Sequence, residues 1–214
     1  VFAIFVLPAP ARQHSHKTQN LSQSLWHIVR KPTVFSFFVI VFLLQISHGV
    51  YYGFYTLYLQ EQGYTSTLIS RFWTLGVIGE IILFLYIPKI FARFSLRHCL
   101  LLALAIATVR WALIGLGVDN LWLLALAQLG HAFTFGMVHA VAMAFMRRYF
   151  TGALQGRGQA LYSAVSFGAG AAIGTYLAGW LWLLGGLITF VLAAVVAGMA
   201  FLVALYAMPK NVCQ

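Results

Sequence analysis

The chain has 214 residues, 62% of them hydrophobic and 7% charged, with a formal net charge of +10. A soluble domain of this length needs a larger charged surface, so the composition excludes one. The excess of positive charge does not mark a nucleic-acid partner, because the basic residues fall in short stretches between long apolar blocks.

Spanning a hydrocarbon core of about 30 Å takes roughly 20 helical residues, and several blocks reach that length. The chain opens with Val1 to Leu7, apolar but too short to span, followed by Pro8 and Pro10. No signal-peptide cleavage pattern follows it. It reads as the end of an earlier transmembrane helix (1–8), which makes the chain the later part of a longer protein. Residues 9–32 read as a polar, basic loop with a short interfacial helix around Trp26.

Six spans are predicted next: Thr33–Leu59, Thr67–Phe91, Cys99–Gly117, Leu121–Met146, Gln159–Leu184 and Leu187–Met208. The connections between them are a short loop with Gly63, a basic return over 92–98, a tight turn over 118–120, a longer basic loop over 147–158, and the breaker Gly185-Gly186. The six-helix bundle thus covers 33–208, with a short tail over 209–214. In the fifth span Gly170, Gly174 and Ala178 recur every four residues, a ridge that lets another helix approach closely.

Most of the thirteen basic residues lie at one end of these spans. Arg12, Lys17, Arg30 and Lys31 precede the first span; Lys89, Arg93 and Arg97 follow the second; Arg147, Arg148 and Arg157 follow the fourth; Lys210 follows the sixth. The opposite loops carry Glu61 and Asp119 and no Lys or Arg. This asymmetry predicts that the basic end is cytoplasmic, with both ends of the bundle on that side. Cys99 and Cys213 also fall there, where reduced thiols are expected.

The informative residues are the polar ones inside the spans. Glu80 is one of only three acidic residues and sits near the middle of the second span. An ionised group there costs roughly 2.5–3.5 kcal/mol on insertion scales, so it reads as functional, or else as half of a buried ion pair with Arg110. Arg110, about seven residues from the external end of the third span, is too deep to escape by snorkelling. The fourth span holds Gln128, His131 and Thr134 at one-turn spacing, with His139 two turns further on. In the first span Gln45, His48, Tyr52 and Tyr55 recur on one helix face, with Tyr51 beside them. A tyrosine stripe is either core and interfacial belt or a ligand platform. By helical rise, His48, Arg110 and His131 lie roughly 10–17 Å below the external surface and Glu80 about 20 Å. Arg71, one turn from the external boundary, is expected to snorkel.

A carboxylate in apolar surroundings can bind and release a proton as those surroundings change, and a nearby arginine favours its ionised form. That is a means of coupling a proton gradient to a solute. An arginine with aromatic faces also suits a small anionic or aromatic solute.

At these residues the chain resembles the 3-phenylpropionate transporter group of the major facilitator superfamily. The resemblance is carried by Leu44-Gln-Ile-Ser-His-Gly-Val-Tyr-Tyr-Gly-Phe54, Gly63-Tyr64, Leu75-Gly-Val77, Gly79-Glu-Ile-Ile82, Val109-Arg-Trp111, Leu129-Gly-His131 with Phe133-Thr134, and Gln159-Ala-Leu-Tyr-Ser-Ala-Val165. It implies an all-α membrane protein, the second six-helix half of a twelve-helix transporter, whose missing first half is the principal partner. The group is related to the lactose permease, a proton–sugar symporter. Glu80 resembles the permease glutamate that contacts sugar, Arg110 the arginine of proton coupling, and His131 the histidine of the sugar and coupling site. Thr134 stands where the permease keeps a second glutamate, and Gln128 where it keeps a lysine, so its proton route is not carried over whole. The loop Pro88-Lys-Ile-Phe-Ala-Arg93 through Arg97-His98 resembles the superfamily's basic signature loop without its aspartate.

The expected function is proton-coupled symport of a small organic solute such as an aromatic carboxylate, in a bacterial inner membrane. Glu80, Arg110 and His131 are expected to carry proton coupling, and Gln45, His48, Tyr52, Tyr55, Glu80 and Thr134 to bind solute. The alternatives are a sugar or nucleoside symporter or an exporter of the same fold, and a non-transporting membrane scaffold. No cofactor or metal is expected. An enzyme is not expected either, since the sequence has no HExxH and no GxSxG on a suitable turn.

Overall fold

The computed structural model describes residues 24–209. The expected helix end over 1–8, the polar stretch to residue 23, Lys210 and Cys213 lie outside the described residues. A helical turn over 24–29 precedes the bundle, with Leu25, Ile28 and Val29 packed against the core and Trp26 outside.

Among the described residues six helices are long and apolar enough to cross a membrane: α1 (Pro32–Glu61), α2 (Ser66–Arg93), α3 (Leu96–Leu116), α4 (Leu121–Tyr149), α5 (Gly152–Leu184) and α6 (Gly186–Ala207). Their ends follow local chemistry. Pro32 starts α1, where its missing N–H leaves no bond unmade. Thr65, Ser95 and Asn120 cap α2, α3 and α4 by accepting backbone N–H bonds on their side-chain oxygens. Gly185 takes φ 104°, a conformation open to glycine, and turns α5 into α6.

One boundary differs from expectation. The basic loop over 147–158 is nearly absent, because α4 runs through Arg147 and Arg148 to Tyr149 and α5 already begins at Gly152. Gly158, at the end of the expected loop, lies inside the helix. It serves packing: a Cβ at Gly158 would fall 2.5 Å from the ring of Phe150, which is fully buried.

α1 is the hub. It packs along α5 and α6, while α6 packs against α3. Gly49 on α1 meets the backbone of Gly174 and Thr175 on α5, and Gly174 in turn meets Ile46 so closely that no Cβ fits at either position. The ridge of Gly170, Gly174 and Ala178 is therefore a backbone-to-backbone crossing, closed by Thr175 Oγ1 donating to the Gly49 carbonyl at 3.2 Å. Tyr58 on α1 donates to the Gly115 carbonyl on α3 at 2.9 Å. At the basic end Arg97 donates to the carbonyls of Leu205 and Met208 at 2.8 Å each, closing the last turn of α6. α2 stands apart, packed on α4 and scarcely on α1.

Both α4 and α5 depart from α-helical geometry near mid-length. α4 passes into wider π turns over Ala132–Met137, and α5 over Ala164–Gly170. Such turns insert a residue into the helical repeat and are frequent at functional sites.

Candidate functional site

The polar residues of four spans meet at one place. Arg110 on α3 is 1% exposed and held on several sides. Its Nε donates to the Ala127 carbonyl at 2.8 Å and its Nη1 to Thr134 Oγ1 at 3.2 Å, both on α4. The guanidinium lies 4.2 Å from the centre of the Tyr51 ring and 4.3 Å from that of Trp111. Desolvated contacts of this kind are worth about 2 kcal/mol or more. The rings are themselves fixed: Tyr51 donates to Gln128 Oε1 at 2.8 Å, and Trp111 Nε1 donates to Ser47 Oγ at 3.1 Å.

Glu80 is not part of that clamp. The titratable side chain facing it among the described residues is His131, with Oε2 3.9 Å from Nε2, longer than a hydrogen bond and an ion pair only when the imidazole is protonated. The alternative of a buried pair between Glu80 and Arg110 does not form; Arg110 spends its donors on a carbonyl and a hydroxyl instead. The Glu80 side chain remains 17% exposed, on the side of α2 that faces α4. Gly136 makes room, since a Cβ there would sit 3.1 Å from Glu80 Cγ.

The face of α1 divides. His48 is buried, its Nδ1–H donating to the Leu44 carbonyl at 2.9 Å and its ring edge-on to Trp111. Tyr55 is fully buried against Tyr51 and Trp73. Gln45 is buried toward α5, beside Gly170 and near Thr134 and Tyr162. Tyr52 alone is 45% exposed, stacked on Trp73 and edge-on to His131 and Phe135. Along α4 the rings of His131, Phe135 and His139 follow one another nearly parallel, at 5.4 Å and 6.4 Å. His139 also approaches the Tyr162 hydroxyl at 3.5 Å. Arg71 is exposed on the first turns of α2.

Five buried polar atoms in this neighbourhood have no hydrogen-bond partner among the described residues: His48 Nε2, Tyr55 Oη, Arg110 Nη2, Gln128 Nε2 and His131 Nδ1. Native proteins leave few such atoms, so five together give the site spare capacity for polar groups from outside the bundle.

Sequence reasoning missed Trp73 and Phe135 as walls of the site, and Tyr51 and Trp111 as the faces that hold Arg110. Trp111 follows Arg110 directly, and Tyr51 adjoins the polar stripe. Those adjacencies were the available signal, but the meeting of rings from α1 and α3 around one guanidinium depends on how the helices rotate against each other.

A bundle of six apolar helices, with a carboxylate, an arginine and histidines gathered at mid-depth, is the arrangement of a membrane transporter domain. The chain belongs to the MFS_1 like family, whose pattern it matches over residues 3–193, and so to the major facilitator superfamily. It is 35% identical over 202 residues to a protein of Escherichia coli (strain K12) described as a "Probable 3-phenylpropionic acid transporter". That match covers 92% of this chain and 50% of the relative, so the chain spans about half the length of the protein it resembles.

Proposed function

We propose that this bundle is the second half of a secondary transporter that carries a small aromatic carboxylate across the bacterial inner membrane together with a proton. In this reading the bundle rocks against a first six-helix half, and the solute sits between the halves at mid-depth. The observation that carries the proposal is the Glu80–His131 pair, two titratable groups 3.9 Å apart, the histidine buried and the carboxylate 17% exposed, in a bundle whose other deep charge is locked. Glu80 and His131 exchange the proton. Arg110 supplies a fixed positive charge and holds Thr134 and α4 in place. Tyr52, Trp73 and Phe135 offer ring faces for an aromatic solute, and His48, Gln45, Tyr55 and Thr134 supply polar contacts or shape around it.

The relative's description supports the choice of an aromatic carboxylate over a sugar or nucleoside, as does the predominance of rings over amides and hydroxyls on the open face. A scaffold without transport has no use for a carboxylate, an arginine and histidines at matching depth. The basic end is taken as cytoplasmic, on the distribution of Lys and Arg.

The test uses the full-length protein in sealed vesicles. Adding 3-phenylpropionate down its gradient, with no imposed pH difference, should alkalinise the external medium as proton and solute enter together. Solute entry without a pH change would replace symport by uniport. No entry of any aromatic carboxylate would remove the substrate class.

A further inference from the structure

A second feature lies away from the polar cluster, at the basic end of the bundle. α2 and α3 follow each other in the chain yet scarcely touch, because α4 packs behind both. Between them is a cleft of about 950 Å³, the upper range of ligand-pocket volumes. Its floor is Phe133 and Met137 of α4, and its walls include Ile90 and Phe91 of α2 and Leu102 of α3. The walls continue outward into exposed apolar side chains, Phe94 at 57% and Leu102 at 52% exposure, so the cleft is open at the outside of the bundle.

One end of this apolar cleft is charged. Arg93 and His98 line it there, with Ser95 between them in sequence, and both are exposed. Arg93 has no hydrogen-bond or ion-pair partner among the described residues. His98 is oriented by Ser95, whose Oγ accepts the His98 backbone N–H at 3.3 Å and lies 2.7 Å from its Nδ1. With the Ser95 hydroxyl donating to Nδ1, Nε2–H is left to donate outward. None of the three carboxylates of the chain is at this end, since Glu61 and Asp119 occupy the opposite loops and Glu80 lies at mid-depth. Among the described residues no carboxylate balances the positive charge at this end.

We infer that this cleft binds an anionic phospholipid, one acyl chain lying between α2 and α3 on Phe133 and Met137, and the phosphate held by Arg93 and His98. The chemistry is divided as the lipid is: a long apolar slot open toward the bilayer, and unmatched hydrogen-bond donors where headgroups lie. A polar solute in transit has no use for a slot open at the outside of the bundle. Basic pockets between helices on the cytoplasmic side are the expected seat of acidic headgroups.

The full-length protein, in membranes containing trace phosphatidylglycerol with a photoreactive acyl chain, tests this by peptide mapping of the adducts. Labelling should fall on α2 and α3 peptides around 90–102, and a matched photoreactive phosphatidylcholine should label them far less. Arg93→Gln should weaken phosphatidylglycerol labelling about fivefold, the loss of one basic contact at the membrane surface. His98→Gln should weaken it further, and Leu102→Trp, which fills the slot from an exposed position, should abolish it. Arg147→Gln, at the same end but outside the cleft, should leave it unchanged. Equal labelling by the two lipids, or labelling insensitive to Arg93→Gln and Leu102→Trp, would overturn the site. Displacement of the label by 3-phenylpropionate would also overturn it, making the cleft a solute exit instead.

Discussion

α1 and α2 are consecutive spans of nearly equal length and mean hydropathy, 2.0 and 1.9 over their most apolar stretches, yet 61% of that stretch is buried in α1 and 11% in α2. Hydropathy places both in a membrane and says nothing of what each faces. α1 is pinned by α5 and α6, and three of its polar side chains are tied down: Tyr51 to Gln128 and Arg110, Ser47 to Trp111, His48 through Nδ1 to the Leu44 carbonyl. α2 contributes Glu80, which faces a histidine at 3.9 Å. The two deep charges are thus treated in opposite ways. Arg110 is held by Tyr51 of α1, by its neighbour Trp111 and by two acceptors on α4, and Glu80 makes no hydrogen bond among the described residues. The proposed coupling assigns the moving part to Glu80 and the fixed part to the Arg110 wall, so substitutions should act on function at the first and on stability at the second.

The largest effect on the rigid wall should come from its tightest point. Gly49→Leu puts side-chain atoms into the backbone of Gly174 and Thr175 and should destabilise the protein by about 3 kcal/mol, the upper part of the overpacking range. Loss of monodisperse protein on heating in detergent reads this. Next is Arg110→Lys, which keeps the charge but removes the planar fork that lies against Tyr51 and Trp111 and reaches Ala127 and Thr134. We expect a stability loss of about 2 kcal/mol, from cation–π contacts and charged hydrogen bonds together. An unchanged thermal midpoint would mean Arg110 is not part of the rigid wall, and the contrast with Glu80 would fail.

A smaller change is Tyr51→Phe. It removes the donor to Gln128 Oε1 while keeping the ring under Arg110, and should cost about 1 kcal/mol or somewhat more as a buried acceptor loses its partner. The smallest belongs to the open side. Tyr52→Phe, at a residue 45% exposed, should alter stability by less than about 0.5 kcal/mol. Any effect of that substitution should appear in solute affinity, measured as the concentration giving half-maximal uptake.

The six spans were legible in the sequence because apolar blocks and basic stretches alternate at the scale of a bilayer. The start of α5 was not, since 147–158 reads as a basic loop until Phe150 is seen packed on Gly158. The membership of the polar cluster was legible from rarity, because so few charged or titratable residues occur inside the spans. Its pairing was not. Whether Glu80 meets Arg110 or His131 depends on the rotation of α2 against α4 and on the π turns that begin immediately after His131, and neither leaves a periodic trace. The aromatic walls were hidden for a related reason: tryptophan and phenylalanine in an apolar span are ordinary residues until a neighbouring helix shows which face they line.

The central claim is that Glu80 carries the coupled proton while the Arg110 wall stays fixed. It is tested most directly by Glu80→Gln in the full-length protein, measuring accumulation of labelled 3-phenylpropionate in vesicles under an inward proton gradient alongside gradient-free exchange. The account predicts that accumulation above equilibrium is lost, that exchange persists, and that the thermal midpoint is preserved. Accumulation equal to that of the unaltered protein, with proton co-uptake intact, would contradict it.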